Sequence, residues 1–397
     1  MPDISIDEEV AEGRRIGGYY DPAFAGVAEA FRANFVERGE VGASVCVAHH
    51  GRLVADLWGG LADVKTGAAW ERDTVSIVFS CTKAATALCA HMLVEQGKLA
   101  LQADVAGLWP EFAQGGKAGS TLAQMLAHSS PVPHVREPIR PGGMADWDYM
   151  VDRVAAEPAW WEPGTRQGYH GLTFAWTVGQ MVRLAAGRKL GAFFADEVAG
   201  KLGLDFHIGL PESEEGRVAA LIGADPAEAD LSSRFLQAVV GEPGSLSNLF
   251  ATNNGRADFN SREMHEAELG SANGITNARG LVGMYVPLAA GGGGLVSEDT
   301  LVRMSRAAGC TLMDATLLQP MRFGLGFMLS MDNREFGGSS AIIGERAFGH
   351  VGMGGSIGFA DPGAGLAFGY TMNRLGQGIL LNGRGQGLVD AAYRGVG

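Results

Sequence analysis

The sequence predicts a mixed α/β protein of the α+β kind, an antiparallel sheet flanked by helices and interrupted by an inserted α-helical region. Three observations predict it. Apolar residues alternate or run in short strand-like segments near both ends of the chain, at 41–48 and 53–58 and again at 323–329, 356–361 and 366–373. Between them the apolar spacing is helical, broken by Gly and Pro. The 397 residues give room for two subdomains, or for one sheet carrying a large insertion. The expected division is a sheet domain built from residues 1–85 and 260–397, with 86–259 as the mostly helical insertion.

In chain order, residues 1–9 are acidic and have neither the basic nor the apolar region of a signal peptide. Phe24, Val27, Ala30, Phe31 and Phe35 recur at helical spacing, which predicts a first helix over 22–38. The segments on either side of His49-His50-Gly51-Arg52 then read as a β-hairpin. Ser76-Ile77-Val78-Phe79-Ser80 leads into Ala84-Ala85-Thr86-Ala87-Leu88-Cys89-Ala90, a run without Gly or Pro that predicts a buried helix with Ser80 at its N-terminus. Helical spacing continues at 102–109, 121–128, 146–156, 173–186 and 191–202, while prolines mark loops at 131–143 and 157–168. No repeat is present, and the longest biased tract, Gly291 to Gly294, reads as a turn.

Composition excludes several functions. Charged residues are 19% and hydrophobic ones 46%, with a mean hydropathy of +0.06, the profile of a compact enzyme. A net charge of −13 and a pI near 5.2, with no basic run, argue against nucleic acid or an anionic membrane as partner. No stretch is long and apolar enough to span a bilayer. Cys46, Cys81, Cys89 and Cys310 lack C-x-x-C spacing and read as free thiols, so a cytoplasmic protein is expected. The nine histidines include no H-E-x-x-H, and His49-His50 cannot easily both face one ion from a strand, so neither metal nor cofactor is expected. The sequence carries no signal of oligomeric state.

Chemistry concentrates in three places. Ser80 and Lys83 are one helical turn apart, so the amine can reach the hydroxyl. A serine hydroxyl needs a neighbouring base, and a lysine desolvated beside the positive end of a helix dipole can lose its proton near neutral pH. In 162–171, a Pro/Gly loop delivers Tyr169 just before a helix; its phenol could carry protons to and from the serine, with a neighbouring lysine charge lowering its pKa. In 348–356, glycines at a late strand would let a ligand lie against the backbone and receive an N–H. Trp160, Trp161 and the 131–143 loop are candidates for a pocket wall.

In this order, Ser-x-x-Lys, then Tyr169-His170-Gly171, then His350-Val351-Gly352, the chain resembles the penicillin-recognising serine hydrolases. More narrowly it resembles the family VIII carboxylesterases, relatives of class C β-lactamases with a β-lactamase/transpeptidase-like fold. The resemblance runs from about Gly39 to Arg374. It implies Ser80 as acylated nucleophile, Lys83 and Tyr169 as proton-transfer groups, the N–H groups of Ser80 and Met353 as oxyanion hole, and His350 and Gly352 beside the substrate, a small-molecule ester. Two departures favour short-chain esters over β-lactams: Gly171 stands where lactamases carry the Asn of Tyr-x-Asn, and His350 where they carry the Lys of Lys-Thr-Gly. That loses an amide that would grip a lactam side chain and an ammonium that would pair its carboxylate.

Other readings compete. An acyltransferase, or a β-lactamase-type amide hydrolase, would use the same acyl-enzyme. A non-catalytic penicillin-binding-protein-like module would not need the intact Ser80, Lys83 and Tyr169. Gly354-Gly355-Ser356-Ile357-Gly358 satisfies the G-x-S-x-G elbow of α/β-hydrolases, but no histidine follows Ser356, so the required order of groups fails.

Overall fold

The computed structural model describes residues 3–336 and 338–397. Among them, eleven strands form one antiparallel sheet. Its order is Ile4–Ala11, Arg14–Tyr20, Arg52–Asp63, Gly42–His49, Leu366–Met372, Ile357–Asp361, Phe348–Val351, Met328–Leu329, Met321–Phe323 and Gly309–Thr311, with Ala68–Ala69 paired to Arg52–Asp63. The join between the two ends of the chain is the ladder from Leu366↔His49 to Met372↔Ala43. The helices Ala25–Glu37 and Gly383–Val396 pack together over one face, and Ala278–Ala289 covers the other. Gly358 shows why that helix can come so close: a Cβ there would strike Leu281 and Tyr285.

The first face is tied by a buried ion pair. Glu40, fully buried, accepts from Arg384 Nη1 at 2.7 Å and from the Tyr370 hydroxyl. Buried charges persist only when paired and hydrogen-bonded, so this contact fixes the start of the last helix against the sheet.

Several elements differ from the sequence expectation. The first helix is a 3-10 turn, Pro22–Phe24, capped by Asp21, followed by Ala25–Glu37. Residues 102–109 form only the short 3-10 turn Val105–Gly107, where Asp104 accepts the Ala106 N–H and local capping wins over helix. The helical run at 191–202 is continuous as expected, but between Leu190–Phe194 and Gly200–Leu202 it widens to a π-helical turn at Ala195–Ala199. Residues 323–329 are not one strand but the ends of two, because Gly326 with φ +89° turns the chain and Phe323 pairs with Met328. The N-terminal hairpin Ile4–Ala11 with Arg14–Tyr20 was not anticipated, although Ile4, Ile6 and Val10 fall at even spacing. Exposed acidic residues on this edge strand hid its period.

A second sheet of three short strands, Ser76–Ile77, Ile275–Thr276 and Phe206–His207, sets up the site. It pins the chain immediately before Ser80 to distant segments, and Val78 N–H to Gly274 O at 2.9 Å extends the tie. From there the helix Thr82–Glu95 runs into the interior, buried from Thr82 to Leu93.

Candidate active site

Ser80 stands on a strained turn. Phe79, a non-glycine residue, has φ +43°, a conformation that costs on the order of 1–3 kcal/mol and persists only where neighbours fix it. Here they do: the Phe79 ring is buried against Phe259, with centroids 5.3 Å apart. Thr82 bridges the turn as well, donating to Phe79 O and accepting the Gly274 N–H at 2.7 Å. Ser80 is thus held, half-buried, just before a helix N-terminus, where developing negative charge is favoured.

Lys83 lies one turn on, fully buried, with Nζ 3.0 Å from Ser80 Oγ. Its amine donates to Gly171 O at 2.8 Å and to Ser271 O at 2.8 Å. Among the described residues no carboxylate pairs with it, and burial pushes its pKa well below the ordinary lysine value. A neutral amine has two N–H bonds and one lone pair. The two carbonyls accept two N–H bonds, and in the neutral form the lone pair is left to face Ser80 Oγ.

Tyr169 is placed beside them by its backbone N–H, which donates to buried Asp314 Oδ1 at 3.0 Å. Its ring stacks on Phe323 at 6.0 Å, and the Lys83 amine lies 4.9 Å from its centroid. Here the expected lowering of the phenol pKa is corrected. Burial pushes Tyr169 up, with the hydrogen bond to Ser80 opposing it. Tyr169 is a neutral phenol, a donor rather than a phenolate base.

Glycines in 348–356 do not open the backbone to a ligand as expected. A Cβ on Gly349 would meet Gly358 O and Phe359, and one on Gly352 would meet Ser356 Oγ and Val78 O, so neighbouring protein fills both spaces. Met353 is different. It sits exposed at the turn that follows, and among the described residues neither its N–H nor that of Ser80 donates to a protein acceptor. His350 is buried, with Nδ1 donating to Val351 O at 2.8 Å and Nε2 left without a partner. Burial above all lowers its pKa to about 3, so it is a neutral imidazole at working pH.

The indole N–H of Trp160 donates to His134 O at 2.9 Å and its ring carries Arg136, 3.7 Å from the centroid. Trp161 donates to Ser129 O at 3.1 Å and covers Gly168, the residue before Tyr169. Ser356 is fully buried, donates to Val78 O at 3.1 Å, and leads into a strand rather than a helix, so the elbow geometry is absent. Sequence reasoning missed Asp314, which anchors Tyr169, and Phe250, whose ring lies against Gly171 and edge-on to Tyr169. No spacing marks either, since both come from loops or short helices distant in sequence.

This sheet, with a serine and an unpaired buried lysine where it meets the helices, defines a serine hydrolase of the β-lactamase/transpeptidase-like fold. The beta-lactamase family model matches residues 26–384, and the chain belongs to that family. It is 33% identical over 393 residues to the esterase/beta-lactamase LipL of Mycobacterium tuberculosis, covering 94% of this chain and 88% of that protein. A family VIII carboxylesterase structure superposes with a TM-score of 0.82 at 35% identity, over 96% of this chain and 99% of that one. A penicillin-binding protein homologue from Caulobacter crescentus gives 0.83 at 32% identity, with the same coverage. The chain is therefore a serine hydrolase of that family, and the relatives it resembles include proteins named as esterases. Among the described residues no helix is long and apolar enough to cross a membrane.

The site predicts the form of its pH dependence. If neutral Lys83 is the base, protonating it as pH falls removes the lone pair, so ester hydrolysis should fall on the acid side. Tyr169, raised above its ordinary 10.0, stays protonated through the alkaline range. The kcat/KM profile, corrected for uncatalysed hydrolysis, should therefore show an acid limb and no alkaline limb below about pH 10. A bell centred near neutrality would contradict this assignment.

Proposed function

We propose that the protein hydrolyses short-chain acyl esters through an acyl-enzyme on Ser80. The observation that carries the reading is the Lys83 amine, whose two N–H bonds are taken by Gly171 and Ser271 carbonyls 2.8 Å away while its third position faces Ser80 Oγ at 3.0 Å. Lys83 takes the proton as Ser80 Oγ bonds to the ester carbonyl carbon, and the Ser80 and Met353 N–H groups hold the oxyanion. The proton then passes through Tyr169 to the alcohol oxygen as the C–O bond breaks. Water repeats the sequence and frees the acid. No step calls for a metal or cofactor.

The cleft lies between the sheet domain, 1–85 and 260–397, which supplies Ser80, Lys83 and Ser271, and the inserted region, 86–259, which supplies Tyr169 and Gly171. His350, as a neutral imidazole, and Gly352 form its back. Trp161, against Gly168, walls the pocket; Trp160, stacked with Arg136, packs the 131–143 loop. Four free thiols, three of them buried, fit the reducing cytoplasm.

Replacement of the two serines separates this mechanism from the elbow reading. Ser80→Ala should lose on the order of 10³-fold or more in kcat, with no fluorophosphonate adduct by mass, while Ser356→Ala keeps its adduct and much of its activity. The reverse ranking in two folded variants would overturn both fold and mechanism assignments.

Substrate preference follows from what the site lacks. Gly171 has no amide, the Phe250 ring takes its side-chain space, and neutral His350 cannot pair a lactam carboxylate. Losing one charge-assisted and one neutral contact should cost roughly 2–4 kcal/mol of transition-state binding, a factor of about 30 to 1,000. Steady-state kinetics should give kcat/KM for p-nitrophenyl butyrate well above that for any penicillin or cephalosporin. A cephalosporin hydrolysed as efficiently as the butyrate would refute this reading of His350 and Gly171.

A further inference from the structure

Phe250 lies half-exposed on the short helix Leu246–Thr252, far in sequence from Ser80, Lys83 and Tyr169. Its ring is edge-on to Tyr169, with centroids 6.2 Å apart and planes at 82°. It also lies against Gly171, where a Cβ would fall closer to three ring carbons than real Cβ atoms come. Gly171 O in turn accepts from Lys83. One apolar ring therefore touches the residue that orients the base and the phenol that returns the proton.

On its other side Phe250 meets Phe235, with centroids 6.0 Å apart. Phe235 lines a cavity of about 430 Å³ together with Leu317, Pro320, Phe336 and Ile379. The loop that bounds this cavity is the one that holds Tyr169, since Asp314 Oδ1 accepts the N–H groups of both Tyr169 and Leu317. A space of a size to hold an alkyl chain, lined in part by these apolar residues and in part by Ser232, Arg234 and Gln319, thus lies two aromatic rings from the candidate catalytic phenol. Phe250 and Phe235 stand between them.

We propose that Phe250 determines acyl-chain length, closing the acyl side of the cleft against the cavity behind it. This rests on the Ser80 acyl-enzyme reading. The two arms of the ester have different needs at this point. The alcohol leaves beside the Tyr169 hydroxyl and water must replace it there, so that side has to reopen to solvent. The acyl arm stays attached to Ser80 through both steps and can rest on a closed apolar wall. A chain too long for the space in front of Phe250 has nowhere to go while the ring is in place.

The test is kcat/KM for p-nitrophenyl esters from acetate to dodecanoate, with Ser80→Ala as control. Truncation in Phe250→Ala should raise the octanoate-to-butyrate ratio at least about tenfold, the scale expected when space for several methylenes opens in an apolar pocket. Phe250→Leu, which keeps most of the volume, should shift the ratio less and reports the same effect if the alanine variant fails to fold. Gly171→Ala should slow all esters by driving the new methyl into the ring, and Gly171→Ala with Phe250→Ala should recover part of that loss. An unchanged chain-length profile in folded Phe250→Ala or Phe250→Leu overturns the proposal. So does a shift seen when the alcohol rather than the acyl chain of acetate esters is lengthened. Retention of full activity by Ser80→Ala would instead sink the acyl-enzyme reading, which separates the two failures.

Discussion

The structure depends on burying one amine with nothing to neutralise it. Lys83 has the interior of the protein around it, two carbonyls on its N–H bonds, and no carboxylate partner among the described residues. An ammonium there would pay a desolvation cost that two neutral carbonyls cannot offset, so its pKa falls well below the ordinary lysine value. Burial acts in the same way on the rest of the site. The histidines around it, His128, His170 and His350, are all buried with pKa values driven down, so no positive charge competes for the substrate's oxyanion. Tyr169 is left a neutral donor for the same reason.

Keeping such a group in place requires rigidity on every side. The three-stranded sheet pins residues 76–78, the Phe79 turn stores strain that aims Ser80, and the glycines at 349 and 352 let the late strand press against Val78 and Phe359. What looked in the sequence like room for a ligand is room taken by protein. The open donors are instead at Ser80 and at the exposed Met353 turn, one strand end away from the helix that carries Lys83. Rigid framing of a reactive constellation is what lets a few hydrogen bonds count in a low-dielectric cleft.

Much of the fold could be read from periodicity. The hairpin at 42–63, the helix from Thr82, the helix Phe174–Ala186 and the strands at 357–372 all have one strong period and clear breakers. Elements were misread where local chemistry overrode the period: Asp104 capping a turn, and Gly326 bending what looked like a single strand. The spacing of Ser80 and Lys83 was legible because a helix converts three residues of sequence into one turn of space. Phe250 and Asp314 were not legible, because their approach to Tyr169 comes from the packing of segments 80 to 145 residues away, for which a single sequence carries no period. The sign of the Tyr169 shift was missed for a related reason: burial is a property of the whole fold, and here it raises the phenol pKa.

The central claim is therefore the protonation state of Lys83 in the resting enzyme, and NMR of protein carrying isotope-labelled lysine side chains reads it directly. The Lys83 signal, assigned by its loss in Lys83→Met, should have the chemical shift of a free amine at pH 7 and titrate far below the ordinary lysine value of 10.5. An ammonium at Lys83 that persists to pH 10 would contradict the account.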